Sequence, residues 1–265
     1  CPDLLEETIK NRISKGKKPK AIIFVNLYGM PAKIDEILTI SKKYDIILIE
    51  DAAESFGSSY KGKKCGTFGD YGILSFNNNK IITTYGGGAL ICKKQEDNEK
   101  AIFFATQAKD IAPHYQHSEL GYNYMMSNLN ASIGVSQMIN IKKQIQARRN
   151  INNFYNELFK DVDGITVLTE PSKDFLSNHW LSCVLIDKRK TGFSNEDLRL
   201  QLLENNIESR PLWKPMHLQP VFKDYKYFGH SISEELFNKG LCLPSGSNLT
   251  KLDFQRISAS INKLL

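Results

Sequence analysis

Apolar runs and spaced apolar residues alternate through the first third of the chain. Residues Asp3 to Ile13 carry apolar side chains at helical steps, which predicts a helix. The run Lys20 to Asn26 is almost continuously apolar and predicts a buried strand. Lys33 to Tyr44 places Ile34, Ile37, Leu38 and Ile40 on one side of an amphipathic helix. Asp45 to Glu50 predicts a second buried strand. Strand, helix and strand in about 30 residues form a βαβ unit, hence a parallel sheet. Continuous apolar strands agree with this, because parallel strands are usually covered on both faces.

From Gly66 onward glycines punctuate shorter runs. Strands are predicted near Tyr71 to Phe76, Ile81 to Thr84 and Ala89 to Cys92, and a helix from Glu96 to Thr106. A polar, aromatic loop covers Ala108 to Asn123, and one long helix covers Ser127 to Phe159. Past residue 145 a second unit is predicted. Its strands are Gly164 to Leu168, Trp180 to Ile186 and Ile207 to Arg210. Its helices are Asn195 to Glu204 behind a Ser194 cap, Ser231 to Lys239, and Lys251 to Leu264. The pattern predicts an α/β fold: part of a large domain with a mostly parallel sheet (residues 1–145) and a smaller α+β C-terminal domain (146–265).

Composition narrows the class. The 265 residues are 41% hydrophobic, enough for one large core or two modest ones. No apolar run reaches the length of a membrane span. Five cysteines without metal-ligand spacing read as reduced thiols, which points to the cytoplasm. The net charge of +6 comes from scattered lysines rather than a concentrated patch, so no nucleic-acid partner is expected. Such a surface suits a small anionic ligand. The chain starts at Cys1 and enters a helix directly, and is expected to be a piece of a longer protein.

Two segments carry candidate chemistry. Glu50-Asp51-Ala52-Ala53-Glu54 stands where a buried strand ends, and ligands of open α/β sheets bind beyond the carboxyl ends of strands. A helix N-cap at Asp51 is the competing reading. Ser75-Phe76-Asn77-Asn78-Asn79-Lys80 is followed by an apolar run and Gly86-Gly87-Gly88. A lysine set between apolar strands is desolvated, and desolvation leaves more neutral amine for a Schiff base. Together the segments suit pyridoxal 5'-phosphate (PLP). That cofactor needs a lysine, a carboxylate against the pyridine nitrogen, and donors for its phosphate. Lys80, Asp51 and Ser75 are the respective candidates. The three glycines read as a tight turn behind Lys80 rather than a phosphate cradle. No GxGxxG follows a first strand, which argues against a dinucleotide binder.

Tyr28-Gly29, Glu50 to Glu54, Gly66-Thr67-Phe68-Gly69-Asp70, Ser75…Lys80 and Gly86 to Gly88 together resemble the DegT/StrS family of nucleotide-sugar aminotransferases. Gly121 to Tyr124, Arg210 to Trp213, Pro215 to His217 and Cys242 to Gly246 follow in the same order, so the resemblance covers essentially the whole chain. It implies the aspartate-aminotransferase fold (fold type I) and PLP as cofactor. The stretches Asn79 to Gly88 and Arg210 to His217 most resemble members that make UDP-linked 4-amino-6-deoxy sugars for bacterial protein glycosylation. That implies transfer of an amino group from glutamate to the 4-keto carbon of a UDP-linked 6-deoxy keto sugar.

By the same resemblance Lys80 is the cofactor lysine and proton shuttle, and Asp51 the pyridine-nitrogen partner. Glu54 lies near the reacting carbon, and Ser75 binds the phosphate. Asn123 reaches the partner subunit's cofactor in a homodimer with shared active sites. Trp213 and His217 line the substrate pocket. Amination at C3 or of another nucleotide sugar stays open, as does a truncated non-catalytic relative. Lys80 argues against the dehydratase branch, which has histidine there.

Two departures stand out. Asn26 occupies a position that is commonly histidine in the family. Full-length members also carry about a third more chain in front, including a phosphate-binding turn at a helix N-terminus and an aromatic residue that stacks on the cofactor ring. Without those elements, apolar faces of the sheet and of the helix after Ser127 are expected to be exposed.

Overall fold

The computed structural model describes residues 1–265. Helix α1 (Pro2–Ser14) leads into strand β1 (Ala21–Val25), helix α2 (Ile34–Tyr44) and strand β2 (Ile47–Asp51). A short antiparallel pair, β3 (Ser59–Tyr60) and β4 (Lys63–Lys64), precedes β5 (Tyr71–Ser75) and β6 (Gly88–Cys92). The first sheet has the order β1-β2-β5-β6. β1, β2 and β5 run parallel, and β6 is antiparallel to β5. Helices α3 (Gln95–Ala105), α4 (Asn128–Met138) and α5 (Ile141–Phe159) follow.

The remainder comprises β7 (Ile165–Val167), β8 (Phe175–Leu176), β9 (Ser182–Ile186), α6 (Lys188–Thr191), α7 (Asn195–Glu204), β10 (Arg210–Pro211), α8 (Ile232–Lys239), β11 (Gly240–Leu243) and α9 (Lys251–Ile261). The second sheet is antiparallel, in the order β10-β11-β9-β7. β8 pairs instead with β3, which ties the later half of the chain to the first. Reciprocal capping boxes, Ser194 with Asp197 and Thr250 with Asp253, start α7 and α9.

The first sheet is covered on one face only, unlike the two-sided cover usual for parallel strands, with the open face expected where the preceding elements are absent. Ile22, Phe24 and Leu48 are buried with Ile9 of α1 and Ile34 of α2. Residues pointing the other way are open: Ile23 is 65% exposed, and Val25, Ile47, Ile73 and Leu90 are exposed too. Exposed apolar side chains on α4, such as Leu129 and Val135, accord with the exposure expected there.

Three predicted elements are corrected. Ile81 to Thr84 is not a strand. These residues lie in the loop joining β5 to β6, and their backbone bonds go to the loop and to α4 rather than to a neighbouring strand. Ile81 and Ile82 are buried in a cluster with Tyr28 and Trp180, while Thr84 N–H donates to Phe76 O across the loop. The long helix is two helices, interrupted at Ile139–Asn140. α4 faces the β5–β6 loop, where Asn130 Nδ2 donates to Thr84 O (2.6 Å) and Gln137 Oε1 accepts from Thr83 N–H (3.0 Å). α5 buries Ile151, Tyr155 and Phe159 in the C-terminal core, a different set of neighbours. The strand expected over Ile207 to Arg210 is only the two-residue β10 at its end, because the Ile207 N–H donates to Leu202 O at the close of α7 (2.9 Å) instead of to a strand.

Candidate active site

The site lies at the carboxyl ends of β2 and β5. Alternation along β2 separates its two acids. Glu50 points to the covered face and is fully buried. Its oxygens accept from Asn26 Nδ2 (2.8 Å) and Phe68 N–H (2.7 Å). Asn26 Oδ1 accepts in turn from Ala32 N–H (2.9 Å). Glu50 is therefore a structural acid, and Asn26 serves the frame beneath the site. Asp51 turns to the open face, in register between Val25 and Ile73. No helix follows Asp51, so the N-cap reading fails; its Oδ1 accepts from Ala53 N–H (3.0 Å) in a local turn.

Glu54 follows in that turn. Its oxygens accept from Tyr28 N–H (2.6 Å) and from the Trp213 indole Nε1–H (3.1 Å). Burial holds its carboxyl above the usual glutamate value, and the neighbouring charge of Asp51 pushes the same way. The two hydrogen bonds and the charge of Lys80 pull it back.

Lys80 extends from the β5–β6 loop and is half-buried. Burial pushes its ammonium below the usual lysine value, against the opposing pull of Glu54 and Asp51. The Nζ lies 4.1 Å from the ring centroid of Trp180. The loop closes with Phe76 N–H donating to Gly87 O (3.0 Å), and Gly87 has φ +89°, so these glycines make the expected turn.

The structure thus brings Lys80, Asp51, Glu54 and Trp213 together. Trp213 is clipped in place a second time by its backbone N–H, which donates to Tyr28 Oη (2.8 Å). Ser75 ends β5 at the same end of the sheet, with its Oγ 3.4 Å from the Asn77 N–H. Asn123 and His217 are not joined to this group. Asn123 is exposed in a backbone bridge to Thr106. His217 stacks on Tyr227 (3.7 Å between centroids), with its Nε2 3.0 Å from Glu234 Oε1.

Residues missed by the sequence reading sit just behind the site. Asn178 is fully buried. Its Nδ2 donates to Glu54 O (2.9 Å) and Phe56 O (3.0 Å), and its Oδ1 accepts from Trp180 N–H (2.8 Å). A Cβ on Gly29, which has φ +92°, would stand 1.9 Å from that Oδ1. The one visible signal was the polar run Ser177-Asn178-His179 set directly before an apolar strand.

Comparison with known proteins follows the same lines. EpsN of Bacillus subtilis (strain 168), named as a pyridoxal phosphate-dependent aminotransferase, is 45% identical over 260 residues, covering 97% of this chain and 66% of that protein. GDP-perosamine synthase of Escherichia coli O157:H7 is 36% identical over 246 residues, covering 93% of this chain and again 66% of that protein. The chain therefore spans about two thirds of the length of these relatives. The crystal structure of a DegT DnrJ EryC1 StrS aminotransferase from Brucella abortus superposes with a TM-score of 0.89 at 29% identity, over 99% of this chain and 69% of that one. The fold is the type I fold of these enzymes, and aminotransferases of the family depend on PLP. The family model for the DegT/DnrJ/EryC1/StrS aminotransferases matches residues 1–262, and the chain belongs to that family.

Proposed function

We propose that the protein is a nucleotide-sugar aminotransferase that moves an amino group from glutamate to the 4-keto carbon of a UDP-linked 6-deoxy keto sugar. Glutamate leaves as 2-oxoglutarate and the keto sugar leaves as the amino sugar. The observation that carries this reading is the half-buried amine of Lys80, held below the usual lysine value beside Glu54 and Asp51 at the carboxyl end of a parallel sheet.

The donor set fits PLP. A depressed amine suits covalent attachment, an open-face carboxylate suits a pyridinium nitrogen, and a strand-end hydroxyl suits a phosphate. Lys80, Asp51 and Ser75 would hold the cofactor in those roles. When bound, it supplies an electrophilic carbon and an electron-accepting ring. Lys80 Nζ, when free, takes and returns a proton. Asp51 presents its carboxyl group at the open face. Glu54, held protonation-prone by burial, orients groups at the reacting carbon. The indole of Trp213 keeps the Glu54 carboxyl group in one orientation.

Asn123, exposed in one chain, would reach the cofactor of the partner subunit in a homodimer; Trp213 and His217 would face the sugar nucleotide. The boundary between a cofactor domain and a small domain falls near residue 145. The UDP preference rests on the stretches Asn79 to Gly88 and Arg210 to His217. Likeness to GDP-perosamine synthase supports a second reading, in which the nucleotide is GDP.

The test is single-turnover amination with glutamate and UDP- or GDP-linked 4-keto-6-deoxy sugars, comparing the protein with Lys80→Ala. Turnover should fall by a factor on the order of 10³ or more. Full turnover in the variant refutes the reading, and the better nucleotide decides between the two.

A further inference from the structure

Trp180 lies where the linker from β8 enters β9, and it is 2% exposed. Its indole does two things at once. The ring face lies over the Lys80 amine at 4.1 Å. The Nε1–H donates to the carbonyl of Asn79 at 2.7 Å, one residue before the lysine. Its backbone is fixed as firmly. The Trp180 N–H donates to Asn178, which also holds the carbonyls of Glu54 and Phe56. The Trp180 carbonyl accepts from Arg148 of α5 at 2.5 Å. One buried residue therefore links the lysine's loop to the turn that carries Glu54.

We propose that Trp180 is a positioning residue for Lys80: its ring face holds the free amine beside Glu54 and Asp51, and its indole N–H fixes the loop from which the lysine extends. The inference rests on the reading of Lys80 as the cofactor lysine. A lysine that is bonded in one half of a transfer and free in the other needs a fixed resting place. Its four-carbon stem otherwise sweeps many rotamers. The quadrupole of the ring attracts an ammonium, adding to the pull of Glu54 and Asp51 without a further ion pair.

The groups around the amine are few. Glu54 and Asp51 face it from the end of β2 and favour its charged form. Arg148 lies behind the Trp180 carbonyl, with its guanidinium lowered to about 10 by burial. Tyr28 and Cys183 pack in the same cluster as Trp180, and burial pushes both upward, so they stay neutral. The ring face is an uncharged contact that favours the ammonium.

The chain has two tryptophans, so Trp213→Phe leaves Trp180 as the one site for fluorinated tryptophan. Fluorines drain the ring quadrupole and leave its shape nearly unchanged, so folding is not at stake. With no cofactor added, Lys80 is acetylated competitively across a pH series, and its peptide is read by mass spectrometry. The apparent pKa of Lys80 should fall stepwise with added fluorine, by about half to one unit over the series. A pKa that ignores fluorination overturns the positioning role. The parent protein, which keeps Trp213, is mixed with PLP and reduced with borohydride in parallel. An adduct on Lys80 without any fluorine response sinks the positioning role alone. A fluorine response without an adduct on Lys80 leaves the contact standing and sinks the cofactor reading.

Discussion

The two hydrophobic regions of the molecule are finished differently. The C-terminal cluster is closed on all sides: Tyr155, Val184, Leu198, Leu202, Leu241 and Ile261 are inaccessible, held among α5, α7, α9 and the second sheet. The first sheet is covered on one face by α1 and α2, and open on the other. Its inward polar groups, Glu50 and Asn26, are fully buried and paired with each other. The contrast separates two tasks. The closed cluster supplies stability through apolar burial, at roughly 25 cal/mol per Å². The half-open sheet holds Asp51 and Lys80 where a ligand can reach them, and it keeps its polar frame on the protected side.

The largest expected effect falls on the open region and on activity alone. Asp51→Asn should lower turnover by a factor on the order of 10² to 10⁴ while leaving thermal stability nearly unchanged. Activity near that of the parent protein would remove Asp51 from the chemistry. Leu241→Ala should cost about 2–5 kcal/mol in denaturant unfolding. Ile23→Ala, on the open face, should cost about 0.5 kcal/mol or less. Equal costs would erase the contrast between the regions. Gly29→Ala should lose about 3 kcal/mol, because the added Cβ meets Asn178 and the backbone has positive φ; an unchanged midpoint would show that Asn178 yields.

The smallest effect concerns pH. Folding lowers the pKa of Lys80, so below its folded value the lysine is charged in both states, and the folded state bears the full desolvation cost. That cost is relieved as pH rises from the folded value toward the unfolded one, and it is absent above. Lys80→Met should therefore raise the melting temperature at neutral pH, with the gain fading as pH rises through the alkaline range. A gain independent of pH would mean that burial of the charge is not its source.

Some of this was legible in the sequence, and for physical reasons. Continuous apolar runs announced β1 and β2, and helical spacing announced α2, because backbone period and burial act locally. Capping at Ser194 was legible for the same reason. Ile81 and Ile82 misled because β-branched residues suit strands, and only the tertiary core shows that a loop buries them. The break at Ile139–Asn140 was hidden because neither Gly nor Pro marks it and the flanking residues suit a helix, leaving Asn140, the N-cap of α5, as its one local sign. Glu50 and Asp51 could not be told apart until the strand's facing was known. Of the site residues, Lys80, Asp51 and Glu54 stood out through motifs. Asn178 and Trp180 did not, because their bonds reach more than a hundred residues back along the chain, to Glu54 and Asn79.

The central claim is that Lys80 is the lysine that binds the cofactor. The direct measurement is a visible absorbance spectrum of the protein with PLP before and after borohydride reduction, with Lys80→Ala alongside and the reduced adduct mapped by mass spectrometry. The account predicts a reducible band and an adduct on the peptide carrying Lys80, both absent from the variant. An adduct on another lysine, or a band of equal strength in Lys80→Ala, would contradict it.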